Sequence, residues 1–584
     1  MGLVVAEQER AGRSLHETRA FRIGIALWVA VLGIGALVAT LLHTRYGIDF
    51  TDESFYVAIP YRFVLGSRPL VDELMVQQSA SLLLLPFYWA RVRLSGNEGL
   101  MLFARLLYCG AAAVLVGVAT RSLSRIVAWP YALLASLPLL VLAPFSMQNL
   151  SYNTLGAGLL TAGMVVALPV FAGVGRDRVL ALAGVLHGLA VIAYPTLFVP
   201  IVAYCLAVWL LADPRSRSRA LMLYIAGGAV VLLAFAGYLA WVGVGALAEV
   251  LRYMQSGAPR FGPDKIAALA KGLATITLWM SPAVAGFGVL LLMRAKHPAL
   301  VRWGLMVVPL LPILAVRVFS GHLHTLGYAL IFASLAPFVY AFTPRDRLDR
   351  VLLICGFAPA LVAGLTTAYT SFNGFYNGVI GLAPSIVITS VLLTRALGEC
   401  GTTRVGESGH GSTSHALLPL AAGSIVVMLA VGALWTGFFA EYPLRQLTSV
   451  IGAGPFAGIY TTPEKARFVT ALSADLAKTT TPQDSVVFFD NFSAGYLFLS
   501  TPPDALSVWL SGANGASGPG HDMQLAAYAK SGRPPTLAVK VRFNPFPGSG
   551  AQVYSPNHVM SRYFEGSAYR VVLDTADYTF YRLR

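Results

Sequence analysis

Long apolar stretches dominate the chain and are separated by short polar segments. A membrane-spanning helix needs about 20 mostly apolar residues, and about thirteen stretches, alone or as closely spaced pairs, satisfy this requirement. They lie near 22–42, 99–120, 127–147, 154–174, 179–194, 196–212, 220–243, 270–293, 303–317, 325–342, 351–370, 379–395 and 416–438. Tyr194-Pro195 divides one longer apolar run in two, because a proline and the residue before it disfavour a continuous helix. The pattern predicts an α-helical polytopic membrane domain over residues 1–439.

Residues 440–584 follow a different pattern, since they contain no apolar stretch long enough to span a bilayer. Segment 461–478 has a Thr and a Pro at its start, which predicts a helix. Four short segments rich in Val, Phe and Tyr predict strands, at 485–489, 536–543, 569–574 and 578–584. The Gly- and Ser-rich segment 398–415 is typical of a flexible linker. We therefore expect a small C-terminal α/β domain.

Composition and charge support a membrane protein and indicate its orientation. Of 584 residues, 56% are hydrophobic and only 12% are charged, against about 25% charged in soluble domains. The basic residues cluster in every second loop, at Arg10/Arg13/Arg19/Arg22, Arg121/Arg125, Arg176/Arg178, Arg215/Arg217/Arg219, Arg294/Lys296, Arg345/Arg347/Arg350 and Arg395/Arg404. By the positive-inside rule, these loops and the N-terminus are cytoplasmic and the C-terminal domain is extracytoplasmic.

The net charge of +15 thus reflects membrane topology, and it does not indicate nucleic-acid binding. The bilayer itself is the expected surrounding partner. Arg outnumbers Lys, and Ala and Gly are abundant. This bias is typical of a GC-rich bacterial source, so we expect a multi-pass protein of a bacterial inner or plasma membrane.

Three carboxylates, Asp49, Asp52 and Glu53, lie within five residues at the outer end of the first apolar stretch. In one interpretation, Thr51 or Asp52 caps an interfacial helix and Glu53 stabilises its N-terminal end. In the other, the cluster is a functional site, because repulsion between desolvated carboxylates is costly unless they share a cation or a substrate proton. The long loop that follows, 43–98, contains the amphipathic stretch "LLLLPFYWARVRL", which suits a membrane interface. These features favour a site.

The same region resembles a known family. The order "DESFYVAIPYRFVLGSRPLVDEL", then "LLLLPFYWARVRLSGNEGLMLFARLLY", then a span that ends in Arg, resembles the GT-C glycosyltransferases. Within them it is similar to the polyprenyl-phosphate-sugar-dependent enzymes, such as protein O-mannosyltransferases and lipid A aminoarabinose transferases. The matching positions are Asp52-Glu53, Gly66 to Pro69, Pro86 to Trp89 and Glu98 to Arg105.

The resemblance implies a GT-C fold with about thirteen transmembrane helices and an extracytoplasmic C-terminal domain. It also implies transfer of a sugar from a polyprenyl-phosphate-linked donor to an extracytoplasmic glycan, lipid or protein acceptor, with inversion at the anomeric carbon. Asp52 matches the family's Asp and is the expected general base, with Glu53 beside it as a second catalytic residue. Asp49 and Glu53 are expected to position acceptor hydroxyls or a cation. The segment "SMQNLSYNTLG" lacks the acidic residue that many relatives place there, so no cofactor is firmly expected and a divalent cation is left open.

Two further groups are candidates for substrate binding. Basic residues at outer loop edges can bind the lipid phosphate, with Arg favoured by its bidentate fork: Arg260, Lys265, Arg317, His322 and His324. Side chains in "SYNTLG" and "SFNGFYNG" can hydrogen-bond sugar hydroxyls: Tyr152, Asn153, Asn373 and Asn377.

Each candidate also has a purely structural interpretation. Arg317 can extend from a span end towards the interface without a ligand, and the asparagines can be turn formers. His322 and His324 lack a third zinc ligand nearby and can be an ordinary loop pair. Arg105 lies inside the second span, where an ionisable residue is either functional or a structural partner for an outer-loop carboxylate.

Two other classes of function remain as alternatives. A transporter or flippase of lipid-linked precursors also has many spans, but carriers usually show internal repeats and ionisable residues at mid-membrane. The sequence has no convincing repeat, and its acidic residues cluster at the outer edge. An assembly or sensor protein whose outer domain binds glycan is the third interpretation. The glycosyltransferase interpretation accounts for the acidic cluster best.

Overall fold

The computed structural model describes residues 2–255, 262–312, 325–371, 374–402, 441–489, 492–509, 519–543 and 559–584. Several predicted features lie outside these ranges: the apolar stretch 416–438, most of the linker 398–415, and Arg260, Arg317, His322, His324 and Asn373.

Helices make up most of the described part of residues 2–402. They are α1 (Gly2–His43), α2 (Asp52–Val64), α3 (Gln78–Ser95), α4 (Leu100–Leu123), α5 (Trp129–Ser136), α6 (Pro138–Val141), α7 (Tyr152–Phe171), α8 (Val179–Ala193), α9 (Phe198–Leu211), α10 (Arg217–Val242), α11 (Val244–Gln255), α12 (Pro263–Met293), α13 (Pro298–Val307), α14 (Thr325–Ser334), α15 (Ala336–Tyr340), α16 (Arg347–Val351), α17 (Ala358–Thr370) and α18 (Gly378–Thr402). Because α18 continues to Thr402, the first residues of the predicted linker are helical.

Seven helices in the described ranges are long and apolar enough to cross a membrane: Ile23–His43, Leu100–Leu123, Tyr152–Phe171, Arg217–Val242, Pro263–Met293, Arg347–Thr370 and Gly374–Glu399. Five shorter apolar helices accompany them: Trp129–Val141, Val179–Ala193, Pro195–Leu211, Pro298–Leu310 and Ala329–Tyr340. Twelve of the thirteen predicted stretches therefore coincide with apolar helices, which confirms a polytopic helical protein. The exact number of crossings stays a prediction.

The break predicted at Tyr194-Pro195 is present. Helix α8 ends at Ala193, a single 3-10 turn covers Pro195–Leu197, and α9 follows. Nearby, α8 and α10 pack so closely that a Cβ on Gly184 would lie 2.0 Å from the carbonyl oxygen of Tyr224. Small residues permit such close approach between helices in a bilayer.

The C-terminal domain has the predicted α/β character. It contains β1 (Ser449–Val450), β2 (Tyr460–Thr461), α19 (Pro463–Thr479), β3 (Val486–Phe489), α20 (Pro519–Ser531), β4 (Leu537–Val541), α21 (Val559–Phe564), β5 (Tyr569–Asp574) and β6 (Tyr578–Leu583). Four strands form a sheet in the order β3-β4-β6-β5, in which only β3 and β4 are parallel. The hydroxyl of Thr462 caps α19 by accepting from the backbone N–H of Lys465 at 3.3 Å. The predicted helix and all four predicted strands are confirmed.

This domain packs against the loop that follows α1. Residues of α2 and α4 share one buried hydrophobic cluster with strands β3, β4 and β6. The hydroxyl of Tyr61 donates to the carbonyl of Leu499 at 2.6 Å. Arg62 pairs with Glu73 at 2.7 Å and also donates to the carbonyl of Ala505 at 2.9 Å. Loop 43–98 and the C-terminal domain therefore lie at the same end of the helical bundle.

Candidate active site at the start of helix α2

The acidic cluster forms the N-terminal end of α2, and Asp49 is its cap. One carboxylate oxygen of Asp49 accepts from the backbone N–H of Glu53 at 2.7 Å. The other accepts from the backbone N–H of Thr51 at 2.8 Å and from its hydroxyl at 2.6 Å. Thr51 occupies the N-cap position but its side chain makes no capping bond. The expectation that Thr51 or Asp52 caps the helix is therefore wrong, because the Asp49 carboxylate already occupies that position.

Glu53 is held by Arg105 from inside the second apolar helix. The guanidinium contacts both carboxylate oxygens, at 2.7 Å from Nε and 2.6 Å from Nη2. It also donates to the carbonyls of Thr44, Tyr46 and Gly47, at 2.8, 3.1 and 2.9 Å. All five N–H groups of the guanidinium thus have acceptors. The structure places Arg105 as the predicted partner of an outer-loop carboxylate.

Asp52 differs from its two acidic neighbours. It is partly buried, and within the described ranges no donor or cation contacts its carboxylate. Burial, and then the negative charge of Asp49, raise the pKa of Asp52 to about 7. A carboxylate with a pKa near the working pH is suited to act as a general base.

A row of three tyrosines, Tyr56, Tyr152 and Tyr194, leads away from Asp52. Tyr56 lies one helical turn after Asp52, and its ring centre is 5.8 Å from that of Tyr152. Tyr152 in turn makes an edge contact with Tyr194 at 4.9 Å. The hydroxyl of Tyr194 accepts from the side-chain amide of Asn377 at 3.3 Å. This tyrosine row therefore connects Asp52 to two predicted residues, Tyr152 and Asn377.

Two members of this row are absent from the candidates that the sequence provides. Tyr56 follows Asp52 by four residues, so the helical period alone places both on one face. Tyr194 has a sequence signal only as part of a helix break, and no local pattern links it to Asn377.

Three buried asparagines near the row have unsatisfied side-chain oxygens. The amide nitrogen of Asn149 donates to the carbonyl of Glu53 at 3.0 Å. Within the described part of the chain, the side-chain oxygens of Asn149, Asn153 and Asn377 are buried without a hydrogen-bond donor. Buried acceptors normally have a partner, so these oxygens can receive donors from a ligand. Asn153 lies in the first turn of α7, so it is not a turn former.

Lys265 lies in the first turn of α12, away from Asp52. Its ammonium donates to the carbonyl of Ser371, directly after α17. Phe375, two residues before Asn377, contacts Trp279 of α12 with ring centres 6.4 Å apart. Lys265 is thus held near the C-terminal end of α17, and the four other predicted phosphate partners lie outside the described residues.

A small pocket adjoins the acidic cluster on the Arg105 side. Its lining residues are His43, Tyr46, Gly47, Asp49, Glu53, Arg105, Ser146, Met147 and Gln148. Asp52 and the three tyrosines of the row are not among its lining residues. Phe145 and Ser146 adopt left-handed φ values of 58° and 57° at its edge, a conformation that is uncommon for residues other than glycine. The described residues contain no group of three or more His, Cys, Asp or Glu side chains that could hold a metal ion.

Comparison with known proteins identifies the fold. No family model and no curated protein matches the sequence. The structure is similar to ArnT from Cupriavidus metallidurans in the apo state, with a TM-score of 0.51 and 14% sequence identity over 95% of this chain and 98% of that one. It is also similar to the same protein bound to undecaprenyl phosphate, with a TM-score of 0.50 and 13% identity over 95% and 97% of the two chains. The expected fold is thus confirmed over nearly the whole chain, which has the fold of ArnT.

Proposed function

We propose that this protein is a membrane glycosyltransferase that moves a sugar from a polyprenyl-phosphate-linked donor to an extracytoplasmic acceptor. The fold shared with ArnT supports this class, and ArnT was crystallised with undecaprenyl phosphate, which favours a polyprenyl phosphate as the sugar carrier. The observation that carries the proposal concerns the bonding and the pKa of the Asp52 carboxylate. Of the three clustered carboxylates, it is the one that the described residues leave unbonded, and its pKa is raised to about 7.

In the proposed reaction, a hydroxyl oxygen of the acceptor attacks the anomeric carbon of the sugar. The bond from that carbon to the phosphate oxygen breaks, and the polyprenyl phosphate leaves with the bonding electron pair. The proton of the attacking hydroxyl passes to the carboxylate of Asp52. General-base assistance of this kind contributes about 10²–10⁴-fold to the rate. The configuration at the anomeric carbon inverts, because attack and departure occur on opposite faces.

In this proposal, Glu53 and Asp49 do not react with the substrate but hold Asp52 in position. Glu53 is held by both nitrogens of the Arg105 fork, and Asp49 is occupied by backbone and hydroxyl donors. We assign both residues to fixing the first turn of α2, and with it the carboxylate of Asp52.

The sugar is proposed to lie along the tyrosine row. Its hydroxyl groups would donate to the buried side-chain oxygens of Asn153 and Asn377, and Tyr152 would contact its ring face. The leaving phosphate requires cations, and Lys265 is the proposed phosphate partner that lies within the described residues. Arg260, Arg317, His322, His324 and Asn373 complete the proposed set of substrate contacts.

The proposal is tested with purified protein in liposomes, supplied with polyprenyl-phosphate-linked pentoses and hexoses and with envelope lipid or glycan acceptors. We expect formation of a new glycosidic bond, and a loss of at least about 100-fold in Asp52→Asn. Asp72→Asn is the matched control, because Asp72 lies in the same loop but pairs with exposed Arg68 at 3.1 Å. Movement of the lipid-linked sugar across the bilayer without a new glycosidic bond would instead favour a flippase.

A further inference from the structure

The segment between α1 and Asp52 is held from two sides, by Arg105 of α4 through the carbonyls of Thr44, Tyr46 and Gly47 and by the C-terminal domain. The carbonyl of Arg45 accepts from the N–H of Tyr460 at 2.6 Å, and the N–H of Gly47 donates to the carbonyl of Tyr460 at 2.8 Å. The carbonyl of Phe50 accepts from the N–H of Ala494 at 3.0 Å. Residues 45–50 therefore lie against the domain, with a single parallel β-bridge between Tyr46 and Tyr460, and Asp52 follows two residues later.

At the centre of this segment, a buried ion pair holds both backbone groups of Ile48. The carboxylate of Glu441 accepts from the N–H of Ile48 at 2.9 Å. The ammonium of Lys465 donates to the carbonyl of Ile48, also at 2.9 Å. Lys465 and Glu441 pair with each other at 3.1 Å, and their side chains are 2% and 0% exposed.

The side chain of Phe50, two residues after Ile48, is also held by the C-terminal domain. Phe50 is fully buried and its ring packs at 5.5 Å from Phe468 and from Phe492, both in the C-terminal domain. The ammonium of Lys465 lies 5.5 Å from the centre of the Phe50 ring, within the range of a cation–π contact. Backbone and side-chain contacts thus restrain the chain on both sides of Asp49.

We propose that the C-terminal domain positions the catalytic segment, and that Lys465 and Glu441 are the positioning residues through which it acts on Asp52. The inference rests on the proposed function, since it assigns Asp52 as the reacting group. Neither residue touches the substrate. Their effect passes through Ile48 to the Asp49 cap, and from the cap to the first turn of α2.

The Lys465–Glu441 pair satisfies the backbone donor and the backbone acceptor of Ile48 at once. Because a displacement of about 1 Å at a reacting group can cost about 10²-fold in rate, loosening this segment is expected to lower kcat. The affinity for the donor, which is bound elsewhere, is expected to stay constant.

The test compares Lys465→Met, and the doubly neutral variant Lys465→Met/Glu441→Gln, with Lys540→Met. Lys540 is the matched control, because it forms a 3.0 Å ion pair with Glu565 in the same domain, away from residues 45–50. The double variant guards against misfolding, since removing one partner of a buried pair leaves an unpaired charge. Lys465→Arg keeps a cation at this position, and it tests whether that cation maintains the position of residues 45–50 and the value of kcat.

Two measurements are made on the full-length protein. Hydrogen exchange of peptides covering residues 45–55 reports on the segment without any catalytic assay, and we expect faster exchange in the Lys465 variants but not in Lys540→Met. Transfer kinetics should show kcat lowered by about 10- to 100-fold with an unchanged KM for the lipid-linked donor, and partial recovery in Lys465→Arg.

The two proposals fail differently. Wild-type exchange over residues 45–55 in a folded double variant would overturn the positioning role, whatever the enzyme transfers. Full kcat in that variant would do the same. Absence of sugar transfer by the wild-type protein would overturn the proposed function instead, and would leave the exchange result standing.

Discussion

The guanidinium of Arg105 contacts the carboxylate of Glu53 at two points, 2.7 Å and 2.6 Å, from a position in the second turn of α4. The two side chains are only 6% and 4% exposed. The contact joins residues 52 positions apart in the sequence and ties the start of α2 to a membrane-spanning helix. Removing one partner of a buried ion pair leaves an uncompensated charge in a medium that solvates it poorly.

Arg105→Ala is therefore expected to lower the free energy of unfolding by about 3–5 kcal/mol. Unfolding of the detergent-solubilised protein, followed by heat or by denaturant, measures the loss. Arg252→Ala is the control, because Arg252 and Glu249 form an ion pair in which both side chains are well exposed, and such pairs contribute about 0–1 kcal/mol. Equal losses in the two variants would contradict a buried structural role for Arg105.

A second prediction concerns orientation. The Arg clusters place Ser218, in the first turn of α10, on the cytoplasmic side and Ser531, in the C-terminal domain, outside. In a background that lacks the native cysteines, Ser218→Cys should react with a membrane-impermeant thiol reagent only after the membrane is opened. Ser531→Cys should react in intact cells, since both positions are exposed. The reverse pattern of labelling would invert the proposed topology.

The sequence predicts the elements whose signal is local. Apolar length predicts twelve described helices, and short segments rich in Val, Phe and Tyr predict strands β3 to β6. The Thr462 cap is likewise a local signal, because it depends on residues three positions apart. Arg105 is recognisable from the sequence because a charge inside an apolar stretch requires a partner.

The contacts between distant segments are not predictable in the same way. Nothing near Ile48 indicates that Glu441 and Lys465 bind its backbone, because these residues lie about 400 positions later and meet only after the domain docks. The capping by Asp49 escapes prediction for a different reason. Three acidic residues compete for one helix end, and only the path of residues 49–51 decides which carboxylate reaches the free N–H groups.

The third prediction concerns the pH dependence of transfer. The base must be deprotonated to act, so kcat/KM should rise with pH through about 7, the pKa to which burial and Asp49 raise Asp52. Tyr56 also faces Asp52 but is neutral in this range, since burial first, and then Tyr152 and Asp52, raise its pKa well above its usual value. Removing the charge of Asp49 should therefore lower the pKa of Asp52 and shift the rising limb to lower pH in Asp49→Asn.

The amide introduced by Asp49→Asn still offers one oxygen to Thr51 but loses the bond to the N–H of Glu53, so stability should fall by about 0.5–2 kcal/mol. Asp72→Asn removes a carboxylate of the same loop without changing α2. The pH at which kcat/KM rises should therefore stay the same in this variant. If kcat/KM still rises near pH 7 in Asp49→Asn, the charge of Asp49 does not raise the pKa of Asp52.

The last prediction links the reactivity of Asp52 to a cost in stability. The pKa of Asp52 is higher in the folded protein, about 7, than the ordinary value of 3.8. The folded state therefore binds a proton more tightly than the unfolded state, and its stability falls as the pH rises from about 4 to 7. Each pKa unit corresponds to about 1.4 kcal/mol, and partial exposure of Asp52 reduces the full effect. Asp52→Asn should thus raise the melting temperature at pH 8 and leave it unchanged near pH 4, while transfer is lost at both. A carboxylate that served only to stabilise the helix end would give the opposite sign at pH 8, because its loss would then lower the melting temperature.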